Sequence, residues 1–143
     1  MSPEPSPLTL QEKRLIRQSF ESLQEYSTSV VLLFYGRLFE LEPAARGLFK
    51  TGLPEQSRKL LDMLTTVVLA LDNFEQLRPT LAELGRKHVT YGALPSHYES
   101  LRQALLWAMA HALEGGFDRE TKAAWDHVLR AISAAMLAGC KRE

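Results

Sequence analysis

The sequence predicts an all-α fold, and three observations carry this prediction. Apolar residues recur at helical spacing in successive long stretches of the chain. Two stretches open with a hydroxyl residue followed three positions later by glutamate, the pattern of an N-terminal capping box. No alternating apolar pattern bounded by a hairpin turn such as Asn-Gly occurs. We therefore expect more helices than a simple four-helix bundle contains.

The N-terminal segment predicts a short tail followed by a helix. Its first residues include three prolines, at Pro3, Pro5 and Pro7. Proline fixes φ and disfavours helix at the residue before it, so we expect 1–8 to be disordered and a single domain to span 9–143. Thr9 and Glu12 form the first capping box, in which each side chain accepts a hydrogen bond from the other residue's amide. This box begins a helix predicted over 9–25.

The next helices are predicted from apolar faces and from prolines. Apolar side chains recur along one face after Ser27, and this pattern stops before Pro43. Pro43 cannot continue a helix but suits the first turn of a new one, so it predicts a short helix over 43–49. A linker follows, and a long apolar stripe then predicts a helix from Pro54 to about Leu71.

The C-terminal half predicts three further helices. A helical pattern covers 77–91, and Pro79 is expected to break this helix or to begin its more regular part. The second capping box, residues 96–99, opens a helix to Glu114, which a Gly-Gly pair ends. An aspartate then caps the last helix, which is predicted over 118–140.

Composition excludes several classes of protein. The chain has 143 residues with 17 Lys+Arg and 17 Asp+Glu, so its formal net charge is zero. A nucleic-acid-binding surface needs a basic excess or stripe, so no nucleic-acid partner is expected. No apolar run approaches the roughly 20 residues of a membrane-spanning helix, and the N-terminus lacks a signal-peptide pattern. We therefore expect a cytoplasmic protein without a membrane partner.

Motifs for common enzyme chemistries are also missing. The sequence has no glycine-rich phosphate loop, no Gly-x-Ser-x-Gly elbow and no His-Glu-x-x-His or Glu-x-x-His pattern. One cysteine excludes an internal disulfide and any metal site built from cysteines. An ordinary hydrolase, a nucleotide-binding enzyme or a di-metal protein is therefore not expected.

One histidine lies within an apolar stripe. His88 follows Leu84 by four residues, so the two side chains lie on one helix face. Spacing alone leaves two interpretations open. The imidazole is either a core group that hydrogen-bonds a backbone carbonyl or an axial ligand of haem iron.

Residues 84–88 resemble the proximal-histidine segment of globins. Upstream, 42–49 is similar to the short-helix corner of that family, in which a proline opens the turn and a phenylalanine packs on the haem. Downstream, 97–98 and 123–125 resemble its last two helices. The resemblance covers about 10–140, counted along the chain. It is closest to bacterial single-domain globins related to flavohaemoglobins, with a neuroglobin-like proximal segment, and it implies a three-on-three helical sandwich around a haem pocket.

Matched residue by residue, the resemblance implies a set of site residues. His88 would be the iron ligand of haem b, and Phe49 would pack flat on the haem. Tyr35 and Gln56 take the positions of the hydrogen-bond donors on the gas-binding side, where catalysis would take place. Leu60, one turn after Gln56, takes the position of the apolar wall.

Further residues match positions at the edge and the proximal face of the haem. Leu84 and Tyr98 match positions that contact the haem or orient the proximal histidine. Cations at the rim could bind the haem propionates, and the candidates are Arg58, Lys59, Arg86 and Lys87. In flavohaemoglobin-like proteins a glutamate of the last helix acts together with the tyrosine. The matching position here is Cys140, so peroxidase-like activity is not expected.

The resemblance implies a haem-b globin that reversibly binds O2 and other diatomic gases at ferrous iron. Nitric oxide dioxygenation from the oxygenated form would need an external reductase, since no reductase domain is recognised in the sequence. Two alternatives stay open: a haem-based gas or redox sensor that acts through a partner protein, and a haem-free interaction module.

Overall fold

The computed structural model describes residues 7–48, 52–90 and 94–140. Its α-helices are α1 (Leu10–Glu25), α2 (Ser27–Leu41), α3 (Leu53–Leu69), α4 (Phe74–Thr90), α5 (Pro95–Ala112) and α6 (Arg119–Cys140). Short 3-10 helices follow α2, at Pro43–Leu48, and precede α4, at Leu71–Asn73. No strand occurs in these ranges, so the all-α prediction is confirmed. The tail predicted over 1–8 lies mostly outside the described residues.

Two helix starts are capped by side chains, as the sequence predicts. The Glu12 amide donates to the Thr9 hydroxyl at 3.1 Å, and the Thr9 amide donates to the Glu12 carboxylate at 2.9 Å. At α6 the amide of Thr121 donates to the Asp118 carboxylate at 2.8 Å. Each cap satisfies backbone donors that have no partner within the helix.

The predicted bounds of α3 and α4 need correction. α3 ends at Leu69, and a tighter turn then carries Leu71 into the core while Asp72 bonds to Lys13 and Arg17 of α1. α4 begins at Phe74 and continues through Pro79, which was expected to break this helix or to begin its more regular part. The helix tolerates this proline near its N-terminus, where it removes one backbone hydrogen bond to the second residue of the helix.

The predicted start of α5 is also wrong, because a different side chain caps this helix. The helix begins at Pro95, and the amide of Leu94 donates to Nδ1 of His97 at 3.1 Å. Glu99, the expected acidic partner of the second capping box, instead bonds to Gln103 at 2.8 Å and to Arg102. The Glu99 carboxylate thus bonds to side chains one turn further along the helix and does not cap the N-terminus of α5.

The core is formed by pairs of packed helices. The most extensive interface joins α4 and α6, followed by that of α2 with α5, and α6 also packs on α1 and α5. The largest fully buried side chains are Trp125, Ile16, Leu64, Leu105, Met109, Val30, Val67 and Val128. Among the described helices, none is long and apolar enough to span a membrane.

Two glycines bring the backbones of α4 and α6 into direct contact. A Cβ atom added at Gly85 would lie 2.0 Å from the carbonyl oxygen of Met136. One added at Gly139 would lie 2.2 Å from the carbonyl oxygen of Ala82. Both distances are far shorter than any van der Waals contact, so only glycine permits this crossing. The contact fixes the part of α4 that immediately precedes His88.

Polar bonds join α1 to α6 within the core. The indole Nε1 of the fully buried Trp125 donates to the Ser19 hydroxyl at 2.7 Å. Nδ1 of the partly buried His127 also lies 2.9 Å from the Glu12 carboxylate. These bonds fix the register of the two helices, because a buried indole N–H costs free energy when it lacks an acceptor.

Candidate functional site

His88 lies near the C-terminal end of α4 and hydrogen-bonds its own helix. Its Nδ1 is 2.8 Å from the carbonyl oxygen of Leu84. A carbonyl only accepts, so in the neutral ring the proton lies on Nδ1 and the lone pair lies on Nε2. This is the tautomer in which Nε2 can bind a metal. The two interpretations that the sequence left open are therefore compatible, since each uses a different ring nitrogen.

Tyr35 lies in α2 with only 5% of its surface exposed. Burial raises the pKa of its phenol and a hydrogen bond with the Ser57 side chain opposes this rise, which leaves a pKa of about 12. The ring of Phe34 lies 4.9 Å from the Tyr35 ring and that of Phe39 lies 6.0 Å away, centroid to centroid. The phenol is therefore held in one place and is protonated at neutral pH, which makes it a hydrogen-bond donor.

The α3 residues next to Tyr35 include one that the sequence analysis missed. Gln56 and Leu60 are both half-buried and one turn apart, as expected for residues that share a helix face. Ser57 follows Gln56 and hydrogen-bonds Tyr35, which the sequence reading did not anticipate. The only available signal was a small hydroxyl residue on the third helix next to Gln56. The structure thus joins Tyr35 to the helix of Gln56 through Ser57.

The remaining predicted residues are half-buried, exposed or outside the described ranges. Leu84 and Tyr98 are half-buried, and the Tyr98 hydroxyl itself is buried. Lys59 and Lys87 are exposed. Their neighbours Arg58 and Arg86 each pair with a glutamate one turn earlier, at 3.9 Å and 2.5 Å. Phe49 lies outside the described residues, and so does the side chain of Cys140.

The residues present fit a haem group. Neutral imidazole is the usual protein ligand of haem iron in oxygen-binding proteins, and the Leu84 bond selects the required tautomer of His88. The described parts of α3 and α4 share at most weak contact with one another. Several apolar side chains of α3, α4 and α5 are only partly buried, including Leu60, Met63, Leu84, Tyr98 and Leu101. A flat apolar porphyrin would bury further surface against side chains of this kind.

Comparison with known proteins identifies the family of the chain. A family model described as Globin matches residues 32–136. The chain is 33% identical over 146 residues to Neuroglobin-1 of Oncorhynchus mykiss. This match covers 92% of this chain and 92% of that protein. The neuroglobin likeness, which the sequence analysis gave to 84–88 alone, therefore extends over most of the chain.

Solved structures with this fold include two at lower identity. A hexacoordinated heme protein from an anhydrobiotic tardigrade superimposes with a TM-score of 0.85 and 19% identity, over 95% of this chain and 97% of that one. An engineered carbene transferase, described as a putative nitric oxide dioxygenase from Rhodothermus marinus, superimposes with a TM-score of 0.76 and 24% identity. The match covers 92% of this chain and 94% of that one. These likenesses confirm the predicted fold. The chain belongs to the globin family, whose members use haem to bind diatomic gases such as O2 and NO.

Proposed function

We propose that this globin binds haem b through Nε2 of His88 and reversibly holds O2 and other diatomic gases on the side of Tyr35. The observation that carries the proposal is the 2.8 Å bond from His88 Nδ1 to the Leu84 carbonyl. When bound, haem supplies a ferrous iron that takes a diatomic gas and passes electron density to it. The protein residues then decide how firmly the gas is held.

On the proximal side, the backbone orients the ligand. The Leu84 bond fixes the rotation of the His88 ring, because the acceptor carbonyl belongs to the same helix. α4 itself is fixed on α6 by the contact of Gly85 with Met136. In our proposal Leu84 and Tyr98 pack on the haem, while Lys59 and Lys87 reach its propionates.

On the gas-binding side, Tyr35 and Gln56 act as hydrogen-bond donors in our proposal. A hydrogen bond to a charged acceptor contributes about 1.5–3 kcal/mol, and a gas that has gained electron density resembles such an acceptor. When the Ser57 hydroxyl donates to the phenol oxygen of Tyr35, the phenol proton of Tyr35 stays available for a hydrogen bond to the gas. Leu60 limits the space beside the gas and keeps water away. Phe49 would pack flat on the haem, as the resemblance implies.

Absorbance spectroscopy of the purified chain tests the proposal. We expect each protein chain to bind one haem. The ferrous form should give distinct absorbance spectra with CO and with O2, and each spectrum should revert when the gas is removed. A chain that takes up no haem, or whose ferrous form does not change its spectrum with either gas, would overturn it.

A second function is nitric oxide dioxygenation, favoured by the buried and protonated phenol of Tyr35. A structural neighbour of this fold is described as a putative nitric oxide dioxygenase. Forming nitrate from O2 and NO consumes one electron per turnover, so an external reductase must supply it. Mixing the oxygenated protein with NO should yield one nitrate per haem, and adding a reductant should sustain nitrate formation. Nitrate formation that stops after one equivalent despite the reductant would exclude this second function.

A further inference from the structure

The four histidines of the chain use Nδ1 in two different ways. In His88 and His111, Nδ1 lies 2.8 Å from the carbonyl oxygen four residues earlier in the same helix. In His127, Nδ1 lies 2.9 Å from a carboxylate of α1. Carbonyl and ionised carboxylate oxygens only accept, so Nδ1 carries a proton in these three rings. His97 is the reverse case, because its Nδ1 accepts from a backbone amide. A proton added to the ring leaves the first three bonds in place and removes the fourth.

His97 closes the first turn of α5. Its amide donates to the Leu94 carbonyl at 2.9 Å, and its Nδ1 accepts from the Leu94 amide at 3.1 Å. In a capping box the same bond to the N-cap amide is made by glutamate or glutamine. Histidine differs from these two residues because its charge ordinarily changes between about pH 5 and 8. Acid therefore delivers a proton to the atom that the cap needs as an acceptor.

The other nitrogen of the His97 ring faces the end of α2. While Nδ1 accepts, the ring proton of neutral His97 lies on Nε2, which is 3.8 Å from the Glu42 carboxylate. This distance is too long for a hydrogen bond but short enough for an ion pair once the ring is charged. Only 18% of the His97 side chain and 29% of the Glu42 side chain are exposed. The Ser100 hydroxyl donates to the same carboxylate at 3.1 Å, so Glu42 is held beside the ring.

The other charges at the start of α5 are paired with one another. Glu99 bonds to Arg102 within α5. α6 packs on this helix and contributes Asp126, which lies 2.5 Å from Arg102 and 2.7 Å from Arg130. Within the described residues, the carboxylate at the end of α2 is therefore the charged group that faces the His97 ring.

We propose that His97 is a pH-operated switch that sets how firmly the start of α5 holds the haem. The unprotonated ring caps α5, whereas the protonated ring releases the Leu94 amide and pairs with Glu42. The inference rests on the proposed function, in which Tyr98, the next residue, packs on the haem. A first turn without its cap frays and no longer fixes the buried Tyr98 hydroxyl. The protein therefore holds its haem less firmly in acid.

NMR of the haem-loaded, CO-bound protein reads the switch itself. Between about pH 8 and 5, the Leu94 amide should lose its protection from hydrogen exchange, relative to an unfolded chain at the same pH. His97→Gln keeps an acceptor that does not titrate, so its Leu94 amide should stay protected. His127→Gln is the matched control and should keep the wild-type transition. Glu42→Gln should shift the transition to lower pH, because the charged ring loses its ion-pair partner.

Transfer of haem to an excess of a haem-binding acceptor protein tests the consequence. Acid weakens the iron–histidine bond in every variant, so His97→Gln gives the baseline. On going from about pH 8 to 5, haem loss should accelerate several-fold more in the wild type than in His97→Gln. A Leu94 amide that stays protected in the acidified wild type would overturn the switch. Equal acceleration in both proteins would overturn its hold on the haem. A chain that takes up no haem counts against the proposed function instead, while its Leu94 amide still reads the switch.

Discussion

The two sides of the candidate haem site are built in different ways. On the side of His88, α4 and α6 meet backbone to backbone, and a single added methyl at Gly85 would lie 2.0 Å from the Met136 carbonyl. On the side of Tyr35, α2 and α3 are joined by a hydrogen bond between side chains, next to a cavity of about 160 Å³. The crossing of α4 and α6 beside His88 therefore leaves no room for a residue larger than glycine, whereas the side of Tyr35 borders a cavity. In our proposal the backbone fixes the orientation of the iron ligand, whereas the gas meets hydrogen-bonding side chains.

The largest effect is expected from removing the proximal ligand. His88→Ala should abolish the axial bond to haem iron, since His88 is the only histidine of α4. Haem titration followed by absorbance should show weak, non-stoichiometric binding. His111→Ala is the control, because the His111 Nδ1 makes the same 2.8 Å bond to the carbonyl four residues earlier but is exposed on α5. An unaltered spectrum in His88→Ala would move the iron ligand elsewhere.

The tight contact of α4 with α6 gives the next largest effect. Gly85→Ala should lower the free energy of unfolding by about 1–3 kcal/mol, because the new methyl forces the two backbones apart. Gly36→Ala is the control: its added Cβ meets nothing within 4 Å. Alanine should stabilise that helix by about 0.5–1 kcal/mol. Urea unfolding measures both, and equal stability of the two variants would contradict a close-packed proximal side.

The donor on the gas-binding side should affect kinetics rather than stability. Tyr35→Phe should speed O2 dissociation by about 10- to 100-fold, since a bond of about 1.5–3 kcal/mol is lost and 1.4 kcal/mol is tenfold. Tyr26→Phe, at a tyrosine that is 50% exposed, should leave the rate unchanged. Stopped-flow displacement of O2 measures the rate. The same off-rate in both variants would remove Tyr35 from the mechanism.

The smallest effect is expected at Ser57, which acts through Tyr35. Ser57→Ala should speed O2 dissociation by about two- to tenfold, the range of one neutral hydrogen bond. It should also raise the pKa of the Tyr35 phenol further above its ordinary value, because the bond that lowers the pKa is gone. Ser57→Thr keeps the hydroxyl and should retain both properties. Tyrosinate absorbance at alkaline pH provides the readout, and a pKa that did not rise in Ser57→Ala would contradict the orienting role.

The raised pKa of Tyr35 also sets a window of pH sensitivity. The folded protein favours the neutral phenol, whose pKa rises from 10.0 to about 12 on burial. Its contribution to stability is therefore full below pH 10.0 and is lost as the pH rises through about 12. Alkaline unfolding of Tyr35→Phe should lack this component.

Much of the fold follows from local patterns in the sequence. The capping box at Thr9 and Glu12, the aspartate cap of α6 and the order of the helices were all predicted, because each depends on residues close in the chain. Pro79 was misjudged because its effect depends on where the helix begins. The start of α5 was misjudged because a histidine competes with glutamate for the cap.

The site was less predictable than the fold. A bond from His88 to a backbone carbonyl was one of two interpretations that the spacing left open, and the structure places this acceptor at Leu84 of the same helix. The pairing of Tyr35 with Ser57 depends on how α2 crosses α3, which local periodicity does not encode. The same holds for Gly85 and Gly139, whose importance appears only when α4 and α6 are brought together.

The bond between Trp125 and Ser19 joins residues 106 positions apart. During synthesis α1 leaves the ribosome long before α6 is made, so its apolar face must wait for the partner that covers it. Closing so long a loop is costly in chain entropy and slows folding compared with helices that pack on their sequence neighbours. In that interval Ile16 and Phe20 are exposed on the nascent chain, where they can associate with other chains or with a chaperone.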